Sequence, residues 1–427
     1  MFVVIIILLL WLTAGGLIHI IIRKKKITLS FRQIIIFFGC KIAGGEIYGY
    51  IFKRYYNGDD TWGLNHDAVL QYKKLLQTPV AFFLDIFSAN PYPADETFYF
   101  HPYMYLEKLE YCIVTKSIAF FNIISHGNYY INIVFFNFLG FFGLYFLYKL
   151  VAEQLQGNSR PLAAAVLFLF PPALFWLSGI RAEGLLMLFT GILLYFFDQW
   201  IKHRQIKSGL LVMGSFGMAY IIRDGFAALL VPALLAWWLT IYLNMNAKKI
   251  FLFVYMIAIA GIAGSSFLLP PEFNVLSVIA SRQHDFFTLK GNTRFNLTPL
   301  NNNLASFIKV LPEALLNTFI RPFFGEAKGL LQWFAAIENI SVLLFIALTI
   351  FTCKRNGTQN NTRPVVWALA LAALFNYILI GYTVPFPGAA VRYKIIPELF
   401  LLSACLMCLP TGFNTVKNHR TTASLQI

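Results

Sequence analysis

Charge is what this chain most lacks. Only 12% of its 427 residues are Asp, Glu, Lys or Arg, against about a quarter in ordinary soluble domains. With 58% hydrophobic residues and a mean hydropathy of +0.66, the deficit argues against a water-soluble globular protein. Cysteine is scarce too. Cys40, Cys112, Cys353, Cys405 and Cys408 trace no disulfide framework. Cys405 and Cys408, i and i+3 in an apolar stretch, read as small core residues and not as a redox pair. Internal repeats, low-complexity tracts and a separate soluble domain are missing as well. Phe2–Ile22 has no basic leading region and no small-residue cleavage site, so it reads as a retained first span.

What is present is a series of apolar runs, each long enough to cross a hydrocarbon core of about 20 residues of helix. They fall near 2–22, 33–52, 129–148, 161–178, 184–200, 208–222, 225–243, 250–269, 333–352, 365–384 and 393–410. The fold class expected is all-α: a polytopic integral membrane protein with about eleven transmembrane helices. Aromatic residues at 17%, led by 44 Phe, suit helices packed in lipid with aromatic collars. A single membrane domain covers 1–427. It comprises a core over 33–269 that includes a long loop 53–128, a second long loop 270–332, and C-terminal spans over 333–410.

The net charge of +15 is topological and does not point to nucleic acid. Arg23, Lys24, Lys25, Lys26 and Arg32 precede the second span. Alternate loops then carry Lys149 and Arg160; Lys202, Arg204 and Lys207; Lys248 and Lys249; Lys354, Arg355 and Arg363; and the tail carries Lys417 and Arg420. All fall on one side if the N-terminus lies outside and the C-terminus in the cytoplasm. The two long loops then face outwards. In them Leu64, Val69, Tyr72, Leu75 and Leu76, and later Leu304, Phe307, Ile308, Leu311, Leu315, Leu316 and Phe319, keep helical spacing, which predicts helices along the membrane interface. Pro312 is expected to bend the second of these.

Charges on the outer side are the informative ones. "YYNGDDTWG" (55–63) sets Asp59 and Asp60 beside Tyr55, Tyr56 and Trp62 where a span surfaces. Arg181, Arg223, Arg392 and Lys394 occupy short turns, in "SGIRAEG", "IIRDG" and "GAAVRYK". A charge held there is costly unless paired or solvated. Arg binds phosphate through bidentate hydrogen bonds and Lys as a point charge. The bland alternative is that these cations snorkel or pair with Glu183, Asp224 and Glu398. The acids Asp67, Asp95 and Glu96 fall on the same side. Acids and bases together could bind an anionic lipid headgroup and take a proton beside it. His66, Asp67, His101, His126, His284 and Asp285 match no tight metal motif, so a divalent metal is unsupported and no cofactor is required.

The organisation resembles that of GT-C superfamily membrane glycosyltransferases of the mannosyltransferase-like kind. An acidic pair, Asp59–Asp60, follows a span and opens a long external loop. Two crossings later a short turn, "LSGIRAEGLL", carries Arg181 and Glu183, and "VRYK" precedes the last span. The likeness covers about 33–410, with one departure: the run 2–22 stands in front of the expected core. The resemblance implies sugar transfer from a polyprenyl-phosphate donor to an acceptor hydroxyl on a lipid, glycan or protein, at the outer face of a bacterial inner membrane. It further implies Asp59 or Asp60 as base, Asp59 slightly favoured, with Glu183 orienting Arg181 or the acceptor. Arg181, Arg223, Arg392 and Lys394 would hold the donor phosphate. Tyr55, Tyr56 and Trp62 would stack on a sugar, although lipid-interface aromatics explain them equally well. Two other functions suit the composition. An O-antigen or exopolysaccharide polymerase or ligase would centre on the later loop, with Arg282, Arg294 and Arg321 as substrate-binding residues. A transporter or flippase of lipid-linked sugars would show repeated halves and midplane charges.

Overall fold

Backbone polar groups inside hydrocarbon must bond within their own segment, so long apolar runs fold as helices. The computed structural model describes residues 2–23, 29–86, 102–155, 159–270, 273–291, 293–355 and 363–409. The expectations at Lys24, Lys25, Lys26, Asp95, Glu96, His101, Lys417 and Arg420 lie outside these residues. All regular structure in the described residues is helical. Helices α1 (Phe2–Ile22) and α2 (Phe31–Tyr55) open the chain. The first long loop folds into α3 (Asp59–Gln77), α4 (Pro79–Leu84) and α5 (Pro102–Ser125). Then come α6 (Tyr129–Gln154), α7 (Ser159–Leu169), α8 (Pro171–Trp176), α9 (Ala182–His203), α10 (Ile206–Ile222), α11 (Asp224–Tyr242) and α12 (Ala247–Leu268). The second loop folds into α13 (Val275–Thr288) and α14 (Leu304–Phe319), and α15 (Leu330–Arg355), α16 (Pro364–Thr383) and α17 (Pro387–Cys408) follow.

Eight of these helices are long and apolar enough to cross a membrane: α1, α2, α6, α9, α11, α12, α15 and α16. The other predicted spans differ for physical reasons. The run 161–178 breaks into α7 and α8 at Pro171–Pro172, because proline donates no backbone hydrogen bond. The run 208–222 is a single apolar helix of 17 residues, α10. The last run starts earlier than expected, at Pro387, so Arg392, Lys394 and Glu398 lie within α17 and lower its hydropathy.

Helix ends and crossings follow from sequence. Ser30 and Gln33 form a reciprocal capping box on α2, and Asn128 caps α6 through the amides of Tyr130 and Ile131. At the crossing of α6 and α9, a Cβ on Gly191 would overlap the Gly143 carbonyl, so both backbones approach closely. The break after α8 is closed by a buried lysine. Lys41 of α2 donates to the Leu177 carbonyl at 2.7 Å and to Ser178 Oγ at 3.1 Å, satisfying a helix end that would otherwise be orphaned. Helix α9 packs between α6 and α10, α17 lies on α16 and α15, and α3 pairs with α5. Pro312 lies inside α14, whose buried face, Phe307, Val310 and Ala314, rests on α16. The Tyr382 hydroxyl of α16 donates to the Phe307 carbonyl at 2.7 Å.

Candidate functional site

The turn between α2 and α3 takes a conformation few residues accept. Asn57, Gly58 and Asp59 have φ of 53°, 94° and 47°. Asn, Gly and Asp tolerate this left-handed region best. The turn reverses the chain and sets Asp59 and Asp60 in the first turn of α3, where the helix dipole favours anions. Glu183 occupies the corresponding place in the first turn of α9, two residues after the extended N-cap residue Arg181.

Arg181 is 4% exposed, and each of its guanidinium nitrogens has a protein acceptor. Nε donates to the Tyr48 hydroxyl, Nη1 to Asp60 Oδ2 at 2.9 Å, and Nη2 to Asp59 Oδ2. Burial and the neighbouring Arg392 oppose its charge, but Tyr48, Glu183 and Asp59 outweigh them and hold its pKa above the ordinary guanidinium value. Glu183 is equally buried and gathers the two remaining arginines. Arg223 Nη2 donates to Glu183 Oε1 at 3.2 Å, and Arg392 Nε pairs with the same oxygen at 3.2 Å. Arg392 Nη1 lies 3.9 Å from Asp60 Oδ2, which links the two halves. Burial opposes the charge on Arg223 as well, and Tyr393, Glu110 and Glu183 raise its pKa in spite of that. Asp59, Asp60 and Glu183 thus balance Arg181, Arg223 and Arg392 at the meeting of α2, α3, α9, α11 and α17.

Cavities open onto this centre from three directions. One of about 790 Å³ is walled by Tyr55, Tyr56, Asp59, Asp60, Trp176 and Phe386. A second, of about 680 Å³, runs between α9, α11, α13, α16 and α17. It carries Arg223, Arg282 and Glu183 with Leu186, Phe226 and Ile396. The third, of about 460 Å³, holds Asp60, Asp67, Glu110, Arg181, Glu183 and Arg223. Arg392 and Tyr393 line all three.

The structure therefore brings Asp59, Asp60, Arg181, Glu183, Arg223 and Arg392 together, with Tyr55 and Tyr56 on one cavity wall. Other expected site residues are placed elsewhere. Lys394 turns away and pairs with Glu338 of α15 at 3.1 Å, its ammonium also donating to Asn339. Arg294 donates to the Phe287 carbonyl at 3.1 Å and stacks on the Phe287 ring. Trp62 is spent on packing: its ring stacks on Tyr129 at 4.1 Å, and its indole N–H donates to the Gly49 carbonyl. Arg282, by contrast, stays on the wall of the 680 Å³ cavity, paired with Asp224, while Arg321 pairs with Glu326 away from the centre. Two contributors carried no usable sequence signal. Tyr48 is a lone tyrosine in an apolar span, and Tyr393 stands inside "VRYK" between the cations that draw the eye. Among the described residues no group of three or more His, Cys, Asp or Glu side chains is arranged to hold a metal ion. Comparison of the chain with protein-family models, with curated proteins and with solved structures finds no match.

Proposed function

We propose that the protein is a membrane glycosyltransferase that moves a sugar from a polyprenyl-phosphate donor to an acceptor hydroxyl. One observation carries the reading: a carboxylate, Asp60, lies 3.9 Å from Arg392, which shares Glu183 with Arg223, where an apolar-walled cavity meets an aromatic-rimmed one. The first cavity suits the lipid end of the donor, the arginines its phosphate, and the second the acceptor. In the reaction the acceptor oxygen attacks the anomeric carbon, its proton passes to the carboxylate, and the carbon–oxygen bond to phosphate breaks. The departing electron pair goes to the phosphate oxygen. Guanidiniums in a partly dry site stabilise the negative charge that develops there. A single displacement inverts the anomeric centre.

The geometry favours Asp60 over Asp59 as the base. Its side chain is 67% exposed against 37%, and it lines two of the cavities. Arg181, with every nitrogen engaged, serves to position the acids and leaves the phosphate to Arg223 and Arg392. With α7–α8, α10 and α17 also crossing, about eleven crossings would put the termini on opposite sides and the site on the outer face. The test is the glycan profile, by mass spectrometry, of a strain lacking this protein and complemented with wild type, Asp60→Asn, Asp59→Asn or Arg294→Ala. Glycans short of one defined sugar with Asp60→Asn support the transferase. A wild-type profile from both Asn variants, with unpolymerised repeats from Arg294→Ala, would favour the polymerase. A second reading, a transporter of lipid-linked sugars, draws on one feature: Glu338, Lys394 and Glu398 are buried between α15 and α17. Accumulation of complete, unextended lipid-linked sugar on the cytoplasmic side would favour it.

A further inference from the structure

Of the described residues, only Arg392 and Tyr393 border all three cavities. Tyr393 is clamped between cations. Its ring lies 4.4 Å from the Arg223 guanidinium carbon and 5.0 Å from that of Arg392, and its hydroxyl accepts from Arg392 Nη2 at 3.2 Å. Each face-on cation adds attraction that holds the ring in place. Phe286 of α13 meets it edge to face, with ring centroids 6.5 Å apart. Phe286 and Leu289 border both the 680 Å³ cavity and the 790 Å³ cavity that contains Asp59. The wall between those two spaces is therefore Tyr393, Phe286, Leu289 and the Arg392 side chain.

That wall matters because the proposed reaction has a competitor. Water can stand where the acceptor hydroxyl should and attack the same carbon. It would give its proton to the same carboxylate and release free sugar and lipid phosphate. Both nucleophiles present an O–H to the same carboxylate, so keeping water out favours the acceptor. We propose that Tyr393, backed by Phe286, is the partition between the donor and acceptor cavities, and that it sets the ratio of transfer to hydrolysis. The inference rests on the transferase reading. It treats Tyr393 as a positioning and excluding residue, since ring bulk and not the hydroxyl does the excluding.

The experiment uses the full chain, purified and reconstituted in vesicles, with farnesyl-phosphate mannose and farnesyl-phosphate glucose labelled in the sugar and no acceptor added. Free sugar released is measured beside farnesyl-phosphate binding by native mass spectrometry. Tyr393→Ala should release sugar about tenfold faster than wild type, a lowering of the hydrolysis barrier by about 1.4 kcal/mol. Tyr393→Phe, which keeps the ring, should stay within about twofold of wild type. If Tyr393→Ala fails to fold, Phe286→Ala opens the same wall from α13 and is read in the same way. Release by the opened variant that stays at or below the wild-type rate overturns the partition. Failure of wild type to bind farnesyl phosphate at all sinks the transferase reading instead, so the two failures are told apart.

Discussion

Arg392 and Lys394 stand two residues apart on α17 and live in opposite settings. Arg392 borders every cavity at the centre and meets Glu183 at 3.2 Å and Asp60 at 3.9 Å on those cavity walls. Lys394 is sealed, 2% exposed, against Glu338 and Asn339, with the fully buried Glu398 one turn further along. Residues i and i+2 on a helix diverge by about 200° around its axis. Because α17 begins at Pro387, "VRYK" is already helical, and its two cations cannot serve one phosphate. The difference teaches that basic residues adjacent in sequence sort by helix face. A charge pair open to a cavity can exchange its partner for a ligand, whereas a sealed pair can only hold helices together.

Breaking the open side should give the largest effects. Asp60→Asn is expected to lower sugar transfer by at least about a hundredfold, the usual cost of losing a general base, with the protein still folded in detergent. Arg392→Ala should match it by exposing the developing phosphate charge. Both are read as initial transfer rates per folded molecule. Equal rates in wild type and Asp60→Asn would remove Asp60 from the chemistry.

The sealed side should answer differently. Lys394→Met leaves Glu338 and Glu398 buried without their cation, and breaking such a group costs about 3 kcal/mol of stability. Replacing all three with apolar residues (Glu338→Met, Lys394→Met, Glu398→Leu) should recover most of that loss. Thermal unfolding in detergent measures the stability, and transfer by the surviving folded fraction should change little. A triple variant that is stable but inactive would break the comparison, because it would give the sealed group a part in function. Between the extremes lies Arg181→Lys. It keeps the charge but loses the fork that reaches Tyr48, Asp59 and Asp60 together. About a tenfold loss of transfer with unchanged donor binding is the outcome expected of a positioning residue.

Much of this arrangement was legible beforehand. Apolar windows located all eight helices long and apolar enough to cross a membrane, since such a run has little choice but to bond within itself. Asp59, Asp60, Arg181, Glu183, Arg223 and Arg392 stood out because charges at span ends are costly. Their meeting at one place follows in the sequence only from the family resemblance, since the apolar pattern does not say how α2, α9, α11 and α17 cross. Lys394 groups with Arg392 in the sequence because "GAAVRYK" reads as a turn, whereas α17 already runs from Pro387 through both residues. Trp62 looked like a sugar platform, but the space above its ring belongs to Tyr129, from a helix 67 residues further on. Lys41 carries no visible role in the sequence; the end of α8 places the open Leu177 carbonyl beside it.

A third charge cluster sharpens the contrast from the weak end. Asp85, just past α4, pairs with Lys74 of α3 and Lys116 of α5, both at 2.6 Å, and borders none of the cavities at the centre. Partial burial pushes its carboxyl pKa up, but the hydrogen bonds and charges of Lys116 and Lys74 outweigh this and leave it below the ordinary value. A depressed folded pKa means that the stabilisation is complete above the unfolded carboxyl value of about 4. It is lost as pH falls through the folded value. Because the group is partly exposed, Asp85→Asn should cost only about 1 kcal/mol. Hydrogen exchange should show that loss as faster exchange confined to α4 and the facing turns of α3 and α5. Relative to the intrinsic exchange rate, which itself slows in acid, lowering the pH through the acid range should reduce protection there in wild type and leave protection in the Asn variant unchanged. Transfer should be untouched in both, because Asp85 ties one loop helix to another and reaches neither Asp60 nor Arg392. If Asp85→Asn slowed transfer as strongly as Arg181→Lys, the rule that function follows access to the cavities would fail.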